Sequence, residues 1–281
     1  MKYGYLGPKN SFSFEALQAI IYDETAVCVS FASIPLCIQA LKENMIDYAI
    51  VPIENSLEGS VHATVDSLFR LKDTYVAQEI VLPIRQQLMG TNAITNPQKI
   101  LSHPQALAQS QTFLEKNYPN VTLEAVNSTT LAAEYVFQHP EESVLAIASK
   151  KAAEEYELTI LAKDIQDNEF NQTRFWLLTN QNVYVERSSE LTLKKTLFIT
   201  LPANRPGALH QVLSAFAWRF IDLSKIESRP LKTGLGEYFF IIDLVIDNNQ
   251  QLIDYAISEI EQLGGTIQSL GTYPILSVKN N

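Results

Sequence analysis

An α/β fold followed by a smaller βαββαβ unit is what this chain of 281 residues predicts, and three observations carry the expectation. Short apolar runs alternate with amphipathic stretches through residue 180, the pattern of strands each followed by a helix that covers a sheet. A polar stretch, "TNQNVYVERSSELTLKK", then breaks that rhythm as a linker does. Beyond it the order becomes strand, helix, strand, strand, helix, strand within about 80 residues, a ferredoxin-like arrangement. These breaks divide the chain into 1–180, a linker over 181–194, and 195–276.

In the first domain "YGYLG" is a strand leading to a helix from Ser13, and "AVCVSF" a strand leading to a helix around "IPLCIQALKEN". "YAIVPI" is an apolar strand; polar "ENSLEGSV" follows it, then a helix through "VHATVDSLFRL". The alternation continues through "YVAQEIVLPIRQQLMG", "KILSHPQALAQSQTFLEKNY", "TLEAVNSTTLAAEYVFQH" and "SVLAIASKKAAEEYEL". In "FNQTRFWLLT", Phe175 to Leu178 are all apolar and read as a short strand buried on both faces. Its opening residues Asn171, Gln172, Thr173 and Arg174 are costly to bury unless something satisfies them. A polar turn feeding a core strand accounts for them; so does a polar ligand at the strand's mouth. In the second domain "TLFITLPA" is a strand and "NRPGALHQVLSAFAWRF" a helix with proline near its first turn. "LSKIESRP" and "GEYFFIIDLVID" are strands joined through Gly234 and Gly236. A helix from about Gln250 to Leu263 stops at "GG", and "TIQSLGTYPIL" closes the unit.

Composition bounds the function. Hydrophobic residues make up 46% and charged residues 19%, the profile of a soluble globular protein. A net charge of -10 argues against a nucleic-acid or anionic-membrane surface, yet leaves room for a small anion in a locally positive pocket. The two cysteines, Cys28 in a strand and Cys37 in a helix, lack metal-ligand spacing and suit a reduced cytoplasmic pair. "MKYGYLGPKN" runs into a strand with no signal-peptide pattern, and no apolar run reaches the ~18 residues of a membrane span.

The candidate chemistry sits after strands. "GYLGPKNSFSFEAL" has neither dinucleotide nor P-loop spacing; it offers a tight Gly7-Pro8 turn, then Ser11 and Ser13 beside a helix start. Ser102 and His103 precede Pro104, with Gln109 two helical turns past Ser102 on nearly the same face. Ser128, Thr129 and Ser149 begin further helices. An ordinary serine cap explains any one of these; several in one α/β domain suggest a shared anion-lined cleft. "YAIVPIENSLEGSV" is densest, with Glu54, Asn55, Ser56 and a turn at Gly59. His62, His103, His139 and His210 show no metal spacing, and no Ser–His–Asp or Cys–His order stands out, so neither a metal nor a covalent intermediate is expected.

"VPIENS", "SHPQALAQS" and "NQTRF" in this order, followed by "GALH" and "ESRP", resemble bacterial prephenate dehydratase over essentially the whole chain. The resemblance implies a two-lobed catalytic domain like a periplasmic binding protein, followed by an ACT regulatory domain. It implies conversion of prephenate to phenylpyruvate in phenylalanine biosynthesis, without a cofactor. One departure is visible: the family's first turn often reads Gly-Pro-x-Gly, and Asn10 holds the last position here. Asparagine tolerates the left-handed conformation, so the turn is expected to survive.

By the same resemblance Asn55, Ser102, Gln109 and Thr173 surround the substrate, with Thr173 essential to dehydration. Ser11, Glu54, Ser56, Arg174 and Phe175 are further substrate-binding candidates. Strand alternation sends Arg174 to the face opposite Thr173, so a structural ion pair competes with carboxylate binding there, while Phe175 shares the side of Thr173. The proton donor stays open among Thr173, a water and Glu54. Gly207, Ala208, Leu209 and His210 of "GALH", with Glu227, Ser228, Arg229 and Pro230 of "ESRP", are the implied phenylalanine site between paired ACT domains. A homodimer or dimer of dimers is therefore expected. A solute-binding protein and a non-catalytic ACT sensor are the competing readings.

Overall fold

The computed structural model describes all residues except 24, 92–93, 95, 183–190, 202–205, 233–236, 247–249 and 280–281. The Gly234–Gly236 joint and most of the expected linker lie outside the described residues. Two compact units emerge. One comprises Met1–Val65, Ile80–Trp176 and Ser277–Asn281, the other Asp66–Glu79 and Leu177–Leu276.

The first unit carries two sheets. β1 (Lys2–Leu6), α1 (Phe12–Gln18), β2 (Val27–Phe31), α2 (Ile34–Lys42) and β3 (Tyr48–Asn55) begin it, with β1 parallel to both β2 and β3. Short β4 (Gly59–Ser60) folds back on β3, setting Asn55 opposite Gly59. After α3 (His62–Phe69) and β5 (Tyr75–Pro83) the chain enters a second sheet. That sheet is built from β6 (Gln87–Gly90), β7 (Lys99–Ser102), α4 (Pro104–Ala108), α5 (Gln111–Asn117), β8 (Thr122–Ala125), α6 (Thr129–Gln138), β9 (Val144–Ala148), α7 (Lys150–Glu155) and β10 (Thr159–Ala162). Its order is β10-β6-β9-β7-β8, with central β9 buried throughout and an apolar cluster on each face. β11 (Gln172–Thr179) then returns to the first sheet, ordered β5-β11-β3-β1-β2. This is the expected two-lobed α/β architecture.

The two crossings between sheets, at residues 84–86 and 163–171, are bonded to one another. The Ile84 N–H donates to the Asn171 carbonyl at 2.8 Å, Ile165 N–H to Gln86 O at 2.9 Å, and Gln86 N–H to Gln166 Oε1 at 2.9 Å. Segments that enter and leave a lobe are thereby held side by side.

Helices begin where small polar residues precede them. Ser11, Ser33, Ser128 and Ser149 each accept the N–H three residues on, at 3.4, 3.4, 3.1 and 3.2 Å, as N-caps do. α1 therefore starts one residue before Ser13. His103, not Ser102, caps α4, its Nδ1 accepting from Gln105 N–H at 3.3 Å. Ser102 ends β7 and α4 stops at Ala108, so the expected helical spacing from Ser102 to Gln109 does not apply: helical register exists only from Pro104. Asn10 adopts φ 63°, the left-handed conformation expected of it.

Gly4 shows how tightly β1 is packed. A Cβ there would lie 2.4 Å from Ile46 Cδ1, 2.9 Å from Phe31 Cε2 and 3.0 Å from Cys37 Sγ. Gly4→Ala is expected to lower unfolding free energy by about 1–3 kcal/mol, read from the urea midpoint; an unchanged midpoint would contradict this packing. Both cysteines are free, as expected, and burial pushes the Cys37 thiol up to about 12.

The second unit is the expected βαββαβ arrangement: β12 (Leu193–Thr200), α8 (Ala208–Ala217), β13 (Leu223–Pro230), β14 (Tyr238–Ile246), α9 (Gln250–Gln262) and β15 (Thr266–Ser277). Strand order is β13-β14-β12-β15, all antiparallel. Ile242, Leu244 and Ile246 face the helices in one core with Val212, Phe216, Ile253 and Ile260. The alternate residue Phe239 turns to the other face, where Phe69 stacks on it at 3.9 Å between ring centroids and meets Phe198 at 6.0 Å. Residues 66–79 thus belong to the packing of this unit, which no sequence break announces. Proline does not sit in the first turn of α8: Pro206 precedes Gly207, the cap residue at φ 85°. Among the described residues no helix is long and apolar enough to cross a membrane.

Candidate active site

Asn55 is the last residue of β3, and β11 lies beside β3 with Thr173 near its beginning. Asn55 Oδ1 accepts the N–H groups of Leu57 and Glu58 at 3.0 and 3.3 Å, a turn that asparagine makes readily. Its Nδ2 therefore faces β11 and donates to Thr173 Oγ1 at 2.9 Å, Asn171 Oδ1 at 2.9 Å and the Gln172 carbonyl at 3.3 Å. Asn171 Nδ2 in turn donates to Gln109 Oε1, again at 2.9 Å. β3, β11 and the end of α4 bring Asn55, Thr173 and Gln109 together through Asn171.

Several buried polar atoms around these amides have no partner among the described residues: Gln109 Nε2, Ser110 Oγ, Gln86 Oε1 and Gln166 Nε2. They lie on adjoining segments, since Asp167 N–H donates to Gln109 O at 2.6 Å and Gln86 N–H to Gln166 Oε1. A bare buried donor or acceptor costs roughly 1–3 kcal/mol, so such a group calls for a ligand or water. Among the described residues nothing accepts the proton of the Thr173 hydroxyl.

The other candidates have separate places. Arg174 lies on the face opposite Thr173 and forms an ion pair with Glu54, both side chains half-buried. Ser56 holds the start of β11: its Oγ accepts Gln172 N–H at 3.0 Å and donates to Phe170 O at 3.2 Å. Phe175 is buried beyond Thr173 in the core strand. Ser102 is fully buried, donates to the Ile147 carbonyl at 2.6 Å and takes no part in the amide chain. Ser11 caps α1 and donates to Leu6 O at 3.0 Å. The loop before it reaches the second sheet's helices: Thr130 Oγ1 donates to Asn10 O at 3.3 Å, and Lys9 pairs with Glu155 at 2.8 Å. Among the described residues no group of three or more His, Cys, Asp or Glu is placed to hold a metal ion.

In the second unit Gly207, Ala208, Leu209 and His210 form the start of α8. Glu227, Ser228, Arg229 and Pro230 end β13, with Glu227 3.4 Å from Lys225. Arg229 turns to Asp66, bonding its two oxygens at 3.1 and 3.3 Å, and Lys232 joins at 2.7 Å. Burial raises the Asp66 pKa, but hydrogen bonds from Lys232 and Arg229 outweigh it and hold the carboxyl below its ordinary 3.8. A depressed carboxyl stabilises above its unfolded value and stops doing so as pH falls through the folded one. Asp66→Asn should therefore lower the unfolding midpoint at neutral pH, with the gap to wild type closing below pH 3.8. A gap independent of pH would mean the charge contributes nothing.

The sequence singles out Asn171 only as part of a polar strand opening, with no role of its own, and does not single out Asp66 at all. Asn171 stood within the polar opening of "FNQTRF", two residues from Thr173, and that spacing was the available signal. Asp66 offered none, since a lone aspartate on a helix is ordinary.

Two lobes with an amide- and hydroxyl-lined site at the carboxyl end of β3 define a bilobal α/β protein. The chain belongs to the prephenate dehydratase family, and with it to the decarboxylating hydro-lyases. The family model described as "Prephenate dehydratase" matches residues 3–183. The prephenate dehydratase of Lactococcus lactis subsp. lactis (strain IL1403) is 44% identical over 283 residues, covering 99% of each chain. That of Bacillus subtilis (strain 168) is 44% identical over 281 residues, covering 97% of this chain and 98% of its own. Among solved structures, the prephenate dehydratase from Arthrobacter aurescens in complex with L-Phe superposes with a TM-score of 0.88 at 30% identity, over 97% of this chain and 90% of that one.

Proposed function

We propose that this chain converts prephenate to phenylpyruvate with loss of water and carbon dioxide, Thr173 serving the departing oxygen. The observation that carries this is the Thr173–Asn55–Asn171–Gln109 chain, which leaves a hydroxyl proton and an amide donor uncommitted. In the reaction the bond from ring carbon to carboxylate breaks and its electrons enter the ring. The ring carbon–oxygen bond breaks in concert, and the oxygen leaves as water after gaining a proton. Aromaticity supplies the drive, so the protein needs to hold the substrate, donate to the leaving oxygen and exclude water. Thr173 is the donor in this reading. A hydroxyl is a weak acid, so it acts as a hydrogen-bond donor that relays a proton. Gln109 and Asn55 hold and orient, Ser102 shapes the floor through Ile147, and the Glu54–Arg174 pair braces β3 against β11 from the other face. In the same proposal Ser56 supports the substrate region by holding the start of β11, and Ser11 and Phe175 remain further substrate-binding candidates. The reading uses no cofactor.

Residues 1–180 are the catalytic domain in this proposal, 181–194 the linker and 195–276 an ACT domain that binds phenylalanine through the "GALH" and "ESRP" residues. The L-Phe complex of the Arthrobacter relative supports that effector. β13 is an edge strand with Ile226 exposed, which suits a homodimer or dimer of dimers. A cytoplasmic location fits a biosynthetic enzyme.

Incubation with prephenate, followed by phenylpyruvate absorbance in alkali, tests the activity. Ser102→Ala and Gln109→Ala should each lower kcat/KM in folded protein. No turnover with intact phenylalanine binding would favour the non-catalytic sensor. Calorimetry paired with sedimentation tests the effector, with Gly207→Val as the obstructed variant. Because Gly207 sits at φ 85°, valine there also strains the backbone, so circular dichroism must confirm folding. Phenylalanine binding to a stable monomer would refute the shared site.

A further inference from the structure

Asn171 has no part in the substrate contacts above, yet it is 1% exposed and joins two of the residues that do. We propose that Asn171 is a positioning residue that sets the donor polarity of the active site, an inference that rests on the dehydratase reading.

Two groups of fixed polarity orient the amides. The backbone N–H groups of Leu57 and Glu58 can only donate, and both meet the same end of the Asn55 side chain. That end is therefore oxygen, and the opposite end is the NH2 group. This NH2 lies 2.9 Å from Asn171 and 2.9 Å from Thr173 Oγ1. Asn171 consequently meets Asn55 with its oxygen and Gln109 with its own NH2, at 2.9 Å. Gln109 receives that bond on Oε1, which turns Nε2 away, buried and without a partner among the described residues. Thr173 already accepts from Asn55, so its proton is left over.

Two backbone amides thus decide, through three side-chain amides, that Gln109 Nε2 and the Thr173 hydroxyl are left as donors. A substrate with two carboxylates and a departing hydroxyl requires donors. Asn171 is the link by which this polarity reaches Gln109. An aspartate has the same shape but, when ionised, only accepts. It would still receive the bond from Asn55. Gln109 would have to turn its Nε2 toward the new carboxylate, leaving Oε1 to face the substrate's negative charge.

The test is Asn171→Asp, with steady-state kinetics on prephenate across pH and a urea unfolding curve. kcat/KM should fall roughly a hundredfold at neutral pH, partly through KM. The loss should shrink as pH falls, because a protonated carboxyl can again donate to Gln109 Oε1. Asn171→Ala should lose activity without that recovery. Should the aspartate variant unfold, Asn171→Ala and Gln109→Ala are combined instead. Since Asn171 acts through Gln109, the double variant should lose little more than the worse single one, and losses that multiply independently would overturn the proposal. A folded Asn171→Asp enzyme with near wild-type kcat/KM, or a loss constant across pH, overturns it too. A wild-type chain that does not turn over prephenate would instead refute the reading of the site, and the inference with it.

Discussion

Thr173→Ala should lower kcat by about a hundredfold or more while leaving the unfolding midpoint nearly unchanged. Removing the hydroxyl deletes the donor to the departing oxygen, an interaction strongest in the transition state. It leaves no buried donor bare, because Asn55 Nδ2 keeps Asn171 Oδ1 and the Gln172 carbonyl as acceptors. Thr173→Ser restores a hydroxyl on a less constrained side chain and should retain part of the activity. Thr173→Val keeps the shape without the hydroxyl and should retain almost none. Near-normal turnover in a folded alanine variant would rule the role out.

Asn55→Asp should be nearly as damaging, although it changes only one NH2 to oxygen. One carboxylate oxygen can still accept the N–H groups of Leu57 and Glu58. The other now faces Asn171 Oδ1, the Gln172 carbonyl and Thr173 Oγ1, where a donor stood before. Thr173 is then drawn to point its proton inward at the carboxylate, away from the substrate. A loss on the order of a hundredfold in kcat/KM is expected, with reduced stability from oxygens set against one another. Lower pH should restore part of the activity, because protonation gives position 55 a donor again. The paired measurement is kcat/KM against pH with urea unfolding on the same samples. An aspartate variant as active as wild type would show that Asn55 does not direct the Thr173 hydroxyl.

Both predictions turn on contacts between residues far apart in the chain, which marks the limit of what the sequence carries. Strand and helix alternation, the serine caps at Ser11, Ser128 and Ser149, the left-handed Asn10 and the opposite faces of Thr173 and Arg174 were all legible without coordinates. So was the βαββαβ order of the second unit. Each depends on propensity or periodicity within a few residues, and such signals survive in one dimension. Local signals fix helix ends less well: helical register before Gln109 begins only at Pro104, not at Ser102, and α8 begins at Ala208, after Pro206.

The motif resemblance named Asn55, Gln109 and Thr173, but it did not say how they meet. Asn55 and Thr173 are 118 residues apart, and Asn171 and Gln109 are 62 apart. Their contact exists because β11 returns between β5 and β3 after the whole second sheet has been built. The inclusion of residues 66–79 in the second unit has the same origin, with Phe69 stacked on Phe239 and Arg229 bound to Asp66. The sequence by itself determined the elements, their order and the residue types at the site. Only the tertiary structure decided which way each amide points, because an asparagine or glutamine side chain has no polarity of its own until fixed donors and acceptors surround it.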